Sequence, residues 1–306
     1  MKNSIRTTLA VGAAGVIAAT GVGCSTGGSD SGSGSDEEYI AVTLWRPHWA
    51  YDAYDIKDLE DPEGALGETE SIYSYSRTGF ADDNPQAAEW ISDFAMSSDL
   101  LYSLENVLYN ENEGASPDEF PELVDGWVAD NQEYVDGLSD AADIGSDEGT
   151  VSIAVFNGWP EGEAVSFLWQ HVLEEAGYTV ELEYADAAPV FLGLSRGDYD
   201  VTLDVWLPLT HAAYVEQYGE DVVELGAWND EAKLTVAVSA DAPIDSLAEL
   251  AENADMFGGR IVGIEPGAGL TAAMEDSVIP GYGLEDMDFT TSSTPAMLAE
   301  LAKSQR

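Results

Sequence analysis

Three tryptophans stand where predicted strands end, each followed closely by a proline. They are Trp45, Trp159 and Trp206, followed by Pro47, Pro160 and Pro208. Open α/β sheets place ligands at the carboxyl ends of strands, and proline stiffens a loop, so each indole can face a cleft at little entropic cost. Converging rings would form an aromatic cage for a quaternary ammonium group, at ~0.5–2 kcal/mol per ring face. Core packing is the simpler interpretation for Trp90, Trp127, Trp169 and Trp228.

A second set of residues suits a negatively charged group. The Pro-Gly-Ala-Gly turn at 266–269 lies between a predicted strand at 260–264 and a helix that begins at Leu270, so its backbone amides can bind an anion. His211 follows the predicted N-cap Thr210, in the first turn of a helix whose dipole also favours an anion. The plainer interpretations are a tight turn and a surface or capping histidine. A cage for an ammonium beside donors for a carboxylate describes a zwitterion, a betaine.

Asp204 lies two residues before Trp206, on the same face of a predicted strand. An acid beside the cage would suit choline, which has no carboxylate, although a loop-capping hydrogen bond is the interpretation we favour. A secreted carbohydrate-active enzyme would also use tryptophans and paired acids, but the tryptophan loops offer few hydrogen-bonding side chains for a sugar. We therefore expect a binding protein with no catalytic residue, no metal and no cofactor.

Alternating strand and helix patterns must position these residues. The predicted strands are 39–44, 151–156, 179–184, 200–205, 234–238 and 260–264, and the predicted helices are 162–176, 190–195, a helix from Thr210, 270–276 and 296–303. Such alternation predicts an α/β fold with mostly parallel sheets covered by helices. The elements form two sets, which indicates two lobes.

The domain boundaries follow from these patterns. We expect one lobe to comprise 37–82 and 260–306 and to carry Trp45 and the Gly269 turn, while residues 150–259 form the lobe with Trp159, Trp206 and His211. Residues 83–138 lack strand alternation and predict helices that pack on one lobe. Residues 139–149 are mostly small and acidic, which predicts a solvated linker.

The N-terminus has the pattern of a secretory signal. Lys2 and Arg6 precede an apolar stretch of small residues that ends before Cys24, the only cysteine, so residues 1–23 predict a lipoprotein signal peptide. Residues 24–36 predict a flexible tether. We expect lipidation of Cys24 and an extracytoplasmic location, anchored to the outer face of the cytoplasmic membrane; an unmodified cysteine in a differently cleaved signal is the alternative.

The charge balance excludes whole classes of partner. Ten lysines and arginines against 59 aspartates and glutamates give a net charge of -49, and nucleic acid binding needs clustered cations. Because exposed charges are screened within ~8 Å at physiological salt and ~3 Å at 1 M, an acidic surface of this kind predicts stability that rises with salt. A betaine is neutral overall, so it approaches such a surface at little cost.

Four motifs carry a family resemblance. They are WRPHW at 45–49, ADAAPVF at 185–191, LDVWLPLTH at 203–211 and IEPGAG at 264–269. Together they resemble the glycine betaine substrate-binding proteins of osmoprotectant ABC importers, and the resemblance extends over nearly everything after Glu37.

The resemblance implies a two-lobed, type II periplasmic-binding-protein-like fold whose central cleft closes on the ligand by a hinge. It implies that Trp45, Trp159 and Trp206 form the cage. His211 would donate a hydrogen bond to the ligand carboxylate, and the backbone amides of Gly269 and Leu270 would form the second contact with that carboxylate. His48 and Trp49 would support the cage wall. The implied partners are the permease subunits of an ABC transporter. Proline betaine, carnitine and choline remain open as ligands, and service to a sensor remains open as a role.

The order of the segments differs from the commoner arrangement of that family. In that arrangement the strand that corresponds to 39–44, with Trp45 at its end, directly follows the helix that corresponds to 296–303. Here this strand lies near the N-terminus and this helix lies last. The sequence therefore predicts a circular permutation, which requires strand 39–44 to pair with strand 260–264 across more than 200 positions.

Overall fold

Alternating and β-branched stretches build one large sheet. The computed structural model describes residues 39–139 and 149–305, and within them nine strands form this sheet. The strands are β1 Ala41–Arg46, β2 Ile56–Asp58, β3 Glu70–Arg77, β4 Thr150–Phe156, β5 Thr179–Ala185, β6 Val201–Leu207, β7 Val222–Ser239, β8 Arg260–Gly263 and β9 Asp288–Thr291. Every predicted strand is present, with 234–238 forming only the end of the long β7.

Helices surround the sheet. Within the same two ranges they are α1 Ala50–Ala53, α2 Phe80–Asp83, α3 Pro85–Ser92, α4 Ser98–Glu105, α5 Phe120–Asp130, α6 Gln132–Val135, α7 Pro160–Glu175, α8 Ala187–Arg196, α9 Ala212–Tyr218, α10 Leu247–Leu250, α11 Gly269–Ala273, α12 Ile279–Tyr282 and α13 Thr294–Ser304. Two π-helical turns, Asn106–Asn110 and Met274–Val278, extend α4 and α11, and the 3-10 helix Ala251–Phe257 follows α10. No helix of the described ranges is long and apolar enough to cross a membrane.

The sheet has two parallel ends and an antiparallel centre. Its strand order is β5-β4-β6-β3-β7-β1-β8-β9, with β2 paired to β7. β4 pairs in parallel with β5 and β6, and β8 pairs in parallel with β1 and β9. β7 pairs with β3 along its first part and with β1 and β2 along its second part, so one strand belongs to both halves. These halves fit the predicted two-lobed fold, whereas the predicted lobe boundaries stay a prediction.

The prediction of mostly parallel sheets is wrong in the centre of the molecule. Four strand pairings are parallel and four are antiparallel in the described part of the chain, because β3 and β7 run against their neighbours. The sequence patterns do not predict β3, because most of its residues are tyrosines and serines. It pairs with β6 and β7, so residues 70–77, which the predicted boundaries group with 37–82, lie beside the strands that carry Trp206.

The long-range pairing required by the permuted order is present. Val42 of β1 stands opposite Val262 of β8 in a parallel register, as predicted from the sequence. Both strands are almost wholly buried apart from their ends, so this pairing lies in the core. The circular permutation itself stays a prediction.

Residues 83–138 are helical, and they pack against α7. Phe120 of α5 meets Phe167 of α7 edge to face, with ring centroids 5.3 Å apart, and Phe94 meets Trp169 at 5.4 Å. The helical segment therefore joins the lobe that carries Trp159, a choice that the sequence leaves open. The predicted signal peptide, Cys24, the tether and most of the 139–149 linker lie outside the described residues.

Candidate functional site

The site begins with two tryptophan rings, one from each lobe. Trp45 near the end of β1 and Trp159 after β4 have ring centroids 5.8 Å apart, with planes inclined at 43°. Both are buried, at 3% and 6% exposure. The structure therefore brings together two of the three predicted cage residues as adjacent walls, and we call them the aromatic pair.

A glycine and a proline position the second of these rings. Gly158 has φ 77°, a left-handed conformation that turns the chain between β4 and α7, and Pro160 opens the helix as its first residue. A Cβ at position 158 would lie 2.9 Å from Pro295 of the opposite lobe. The Trp159 indole Nε1 donates a hydrogen bond to Glu265 Oε1 at 2.8 Å. Glu265 is a contact between the lobes that the sequence patterns do not reveal.

His211 lies against the aromatic pair. Its imidazole stacks on Trp159 at 5.4 Å, with planes 18° apart, and it also contacts Phe156 and Phe191. The helix begins one residue later than predicted, so His211 is the N-cap of α9 rather than a residue of its first turn. Thr210 does not cap the helix, because its backbone amide and hydroxyl both donate to the buried carboxylate of Glu70.

The hydrogen bonds fix the tautomer of His211. Its Nδ1 accepts the backbone N–H of Trp206 at 2.9 Å, so the proton of the neutral ring lies on Nε2. Burial lowers the pKa of His211 to about 3, which keeps the ring neutral at physiological pH. Nε2 is buried and has no hydrogen-bond partner among the described residues. Since an unsatisfied buried donor is costly, this N–H suits an acceptor supplied by a ligand.

His48 has the same arrangement on the other side of the aromatic pair. Its ring meets Trp45 edge to face at 4.8 Å and stacks on Trp49 at 5.6 Å. Its Nδ1 accepts the backbone N–H of Ala50, so its neutral ring also carries the proton on Nε2, where the described residues supply no partner. Burial lowers the pKa of His48 to about 3. His48 therefore offers a second buried donor in addition to the packing role that the sequence predicts for it.

Trp206 is the third predicted cage residue, and it is placed differently. Its side chain is almost completely buried on β6, and its indole Nε1 donates to Asp204 Oδ1 at 2.7 Å. In the described part of the chain its ring makes none of the close ring contacts that join Trp45, Trp159 and His211. Its role as a third wall stays a prediction. We expected Asp204 to form a loop-capping hydrogen bond. Its carboxylate instead accepts a hydrogen bond from the Trp206 indole.

The glycine turn lies against the loop that carries His211. A Cβ on Gly269 would lie 2.3 Å from the Thr210 carbonyl oxygen, so only glycine permits this close approach between the lobes. Gly269 and Leu270 are the first two residues of α11, where backbone amides lack partners within the helix. Their predicted contact with a carboxylate stays a prediction, but the turn and His211 do lie at one place.

Three buried acids complete the surroundings: Glu105, Glu161 and Asp204. The sequence identifies only Asp204. Glu161 could have been found from its position two residues after Trp159, whereas Glu105 has no local signal. Burial raises the pKa of all three carboxyls, and Glu161 raises the pKa of both others further by its charge. We call these residues the carboxyl triad.

Comparison with known proteins gives a family match over most of the chain. A family model described as the substrate binding domain of an ABC-type glycine betaine transport system matches residues 34–130 and 149–306, most of the chain. The glycine betaine/carnitine transport binding protein GbuC of Listeria monocytogenes is 26% identical over 204 residues, which are 66% of this chain and 65% of that protein. The chain thus matches slightly less than two thirds of the length of this relative.

Two solved structures are similar over about half of the chain. One is a glycine/betaine/L-proline-binding protein, ProX, of Borrelia burgdorferi, with 27% identity, a TM-score of 0.44, and coverage of 51% of this chain and 58% of the other. The other is lactococcal OpuAC in its closed-liganded conformation with glycine betaine, with 24% identity, a TM-score of 0.41, and coverage of 51% and 60%.

Proposed function

Because the chain belongs to the family of substrate-binding domains of ABC-type glycine betaine transport systems, we propose that it captures glycine betaine or a related quaternary ammonium solute and delivers it to a transporter permease. It acts by binding and release, with no reaction catalysed. Residues 24–36 and a lipid on Cys24 would hold it at the outer face of the cytoplasmic membrane.

One observation carries this proposal: the aromatic pair lies beside the Nε2–H of His211, which has no hydrogen-bond partner in residues 39–139 and 149–305. Ring faces attract a methylated ammonium, which has no N–H to donate, and the His211 donor suits the carboxylate at the other end of a betaine. The Trp45–Trp159 contact and the Trp159–His211 stack are both between 5 and 6 Å, which places the two kinds of partner within one small molecule's length.

Closure of the two lobes would complete the site. Trp45 and the Gly269 turn come from one lobe, and Trp159 and His211 come from the other. The hydrogen bond from Trp159 to Glu265 and the approach of Gly269 to Thr210 join residues of the two lobes, as closure would require. Since the rings are nearly inaccessible in this form, the ligand must enter while the lobes are apart, and binding would then shift the population toward closure.

Calorimetric titration of the purified chain with glycine betaine, choline and a neutral sugar in high salt tests the proposal. We expect heat from betaine and none from the sugar. Trp159→Ala should weaken betaine binding at least tenfold, because it removes one cage wall and the ring that supports His211, whereas Trp127→Ala removes a buried tryptophan of α5 and should leave affinity within twofold. A sugar signal without betaine heat would refute the proposal.

A further inference from the structure

The carboxyl triad consists of three acids from three different elements. Glu105 ends α4, Glu161 is the second residue of α7, and Asp204 lies in β6. Their exposures are 0%, 0% and 2%. Five of the six carboxyl oxygens have no hydrogen-bond partner in the described ranges, and the sixth accepts only the Trp206 indole N–H. Buried polar groups of native proteins are normally satisfied, so this concentration of free acceptors requires an explanation.

No cation of the described residues compensates the triad. The groups that act on Glu105 are Glu161, Asp52 and the backbone of Trp49, and the hydroxyls of Tyr102 and Tyr109 also face it. The charge of Glu265 acts on Glu161. The charges of Glu161 and Glu105 act on Asp204. Burial, followed by these like charges, raises the pKa of every member. Burial raises the pKa of Glu161 to about 8, so this carboxyl is largely protonated at neutral pH in the ligand-free protein.

The triad adjoins the cage. Glu161 follows Trp159 by two positions and is faced by the Trp45 indole, which partly offsets its raised pKa. The independent sign that a ligand belongs at the cage beside the triad is His211, whose Nε2–H is buried and has no hydrogen-bond partner among the described residues. Asp204 packs on the first turn of α7, where a Cβ on Gly162 would lie 2.3 Å from Asp204 Oδ2. The described residues contain no group of three or more His, Cys, Asp or Glu side chains arranged for a metal ion.

We propose that the carboxyl triad is the electrostatic partner of the ligand's ammonium group, and that ligand binding expels a proton from it. The proposal rests on the proposed function and adds Glu105 and Glu161 to the residues that determine specificity. In this step a carboxyl O–H bond breaks, its electron pair stays on the carboxylate, and the proton passes to the buffer. The arriving positive charge replaces the proton, so the buried site never carries uncompensated charge.

Titration of the full chain with glycine betaine at one pH, in phosphate and in Tris, measures the protons released, because the two buffers differ in ionisation enthalpy. We expect a different heat in each buffer, equivalent to release of up to about one proton at pH 7. The affinity should also rise between pH 6 and pH 8, by up to about tenfold per pH unit. His211 stays neutral over this range, so it does not contribute.

Glu161→Gln keeps the shape of the side chain and removes its charge. We expect at least tenfold weaker binding, little proton release, and reduced discrimination between betaine and its uncharged-head isostere 3,3-dimethylbutanoate. Asp204→Asn should change all three quantities in the same direction. The matched control is Glu175→Gln, at the exposed end of the same helix, which should behave as the wild type.

Protein stability provides a readout that requires no ligand. In the ligand-free native protein Glu161 keeps a proton that the unfolded chain releases above the ordinary pKa of 4.5, so native stability declines as pH rises from that value to the raised pKa of about 8. Glu161→Gln should therefore raise the melting temperature of the empty protein at pH 8. Equal heats in both buffers, with Glu161→Gln indistinguishable from Glu175→Gln, would overturn the proposal while leaving the proposed function intact. A wild type that binds neither betaine nor choline would refute both.

Discussion

Replacement of His211 by alanine tests the anion end of the site most directly. The imidazole has two separable tasks: Nδ1 accepts the Trp206 backbone N–H at 2.9 Å, and Nε2–H points to no protein partner within the described ranges. His211→Ala therefore removes a structural acceptor together with the donor that we propose for the ligand carboxylate. The third histidine, His171, lies on α7 and bonds Asp125 at 2.8 Å, so His171→Ala is the matched control.

The expected magnitudes follow from these contacts. Loss of the Nδ1 acceptor leaves the Trp206 N–H buried and unpaired, which should lower the free energy of unfolding by about 1–3 kcal/mol. A hydrogen bond to a charged group contributes about 1.5–3 kcal/mol, so betaine affinity should fall about 10- to 150-fold. Choline has no carboxylate, so its affinity for His211→Ala should differ from the wild-type affinity by less than about threefold. Both His211→Ala and His171→Ala should be measured well below their melting temperatures.

Calorimetric titrations with betaine and choline, together with thermal unfolding, separate the two tasks. A loss of affinity that is equal for both ligands would refute the assignment of Nε2–H to the carboxylate, because it would show that His211 acts only through the shape of the cage. An unchanged betaine affinity would refute it as well. His171→Ala should leave both affinities unaltered, since its hydrogen-bond partner is the exposed carboxylate of Asp125 and not a residue of the cage.

Two further predictions concern the lobe contact and the surface. Gly269→Ala places a Cβ 2.3 Å from the Thr210 carbonyl oxygen, so it should separate the turn from the His211 loop. Calorimetry should then show betaine binding weakened at least tenfold. Gly281→Ala is the control and should leave binding unchanged, because the nearest atom to its Cβ is the Cβ of Ala65 at 4.0 Å. For the surface, the net charge of -49 predicts a melting temperature that rises by several degrees between 0.1 and 1 M NaCl, because the Debye length falls from ~10 to ~3 Å. A flat or falling scan would contradict self-repulsion as the dominant effect.

Local sequence patterns predict much of this fold because each pattern depends on near neighbours. The alternation of β4 and the helical spacing of α7 identify those elements within a few residues, and Gly158 and Pro160 mark the turn between them. The β3 strand and the first half of β7 are missed because their tyrosines, serines and acids resemble exposed loops until both strands pair in the centre of the sheet.

The amino-acid sequence by itself determined the family, the chemical types at the site and the acidic surface, since motifs, residue types and net charge are properties of the chain. Only the tertiary structure decided which side chains meet. It placed Trp45 beside Trp159 across 114 positions and set Trp206 against Asp204. It also gathered Glu105, Glu161 and Asp204 where no cation of residues 39–139 and 149–305 compensates them. Burial then raised the pKa of these three carboxyls, because the cost of charge depends on surroundings that distant segments supply.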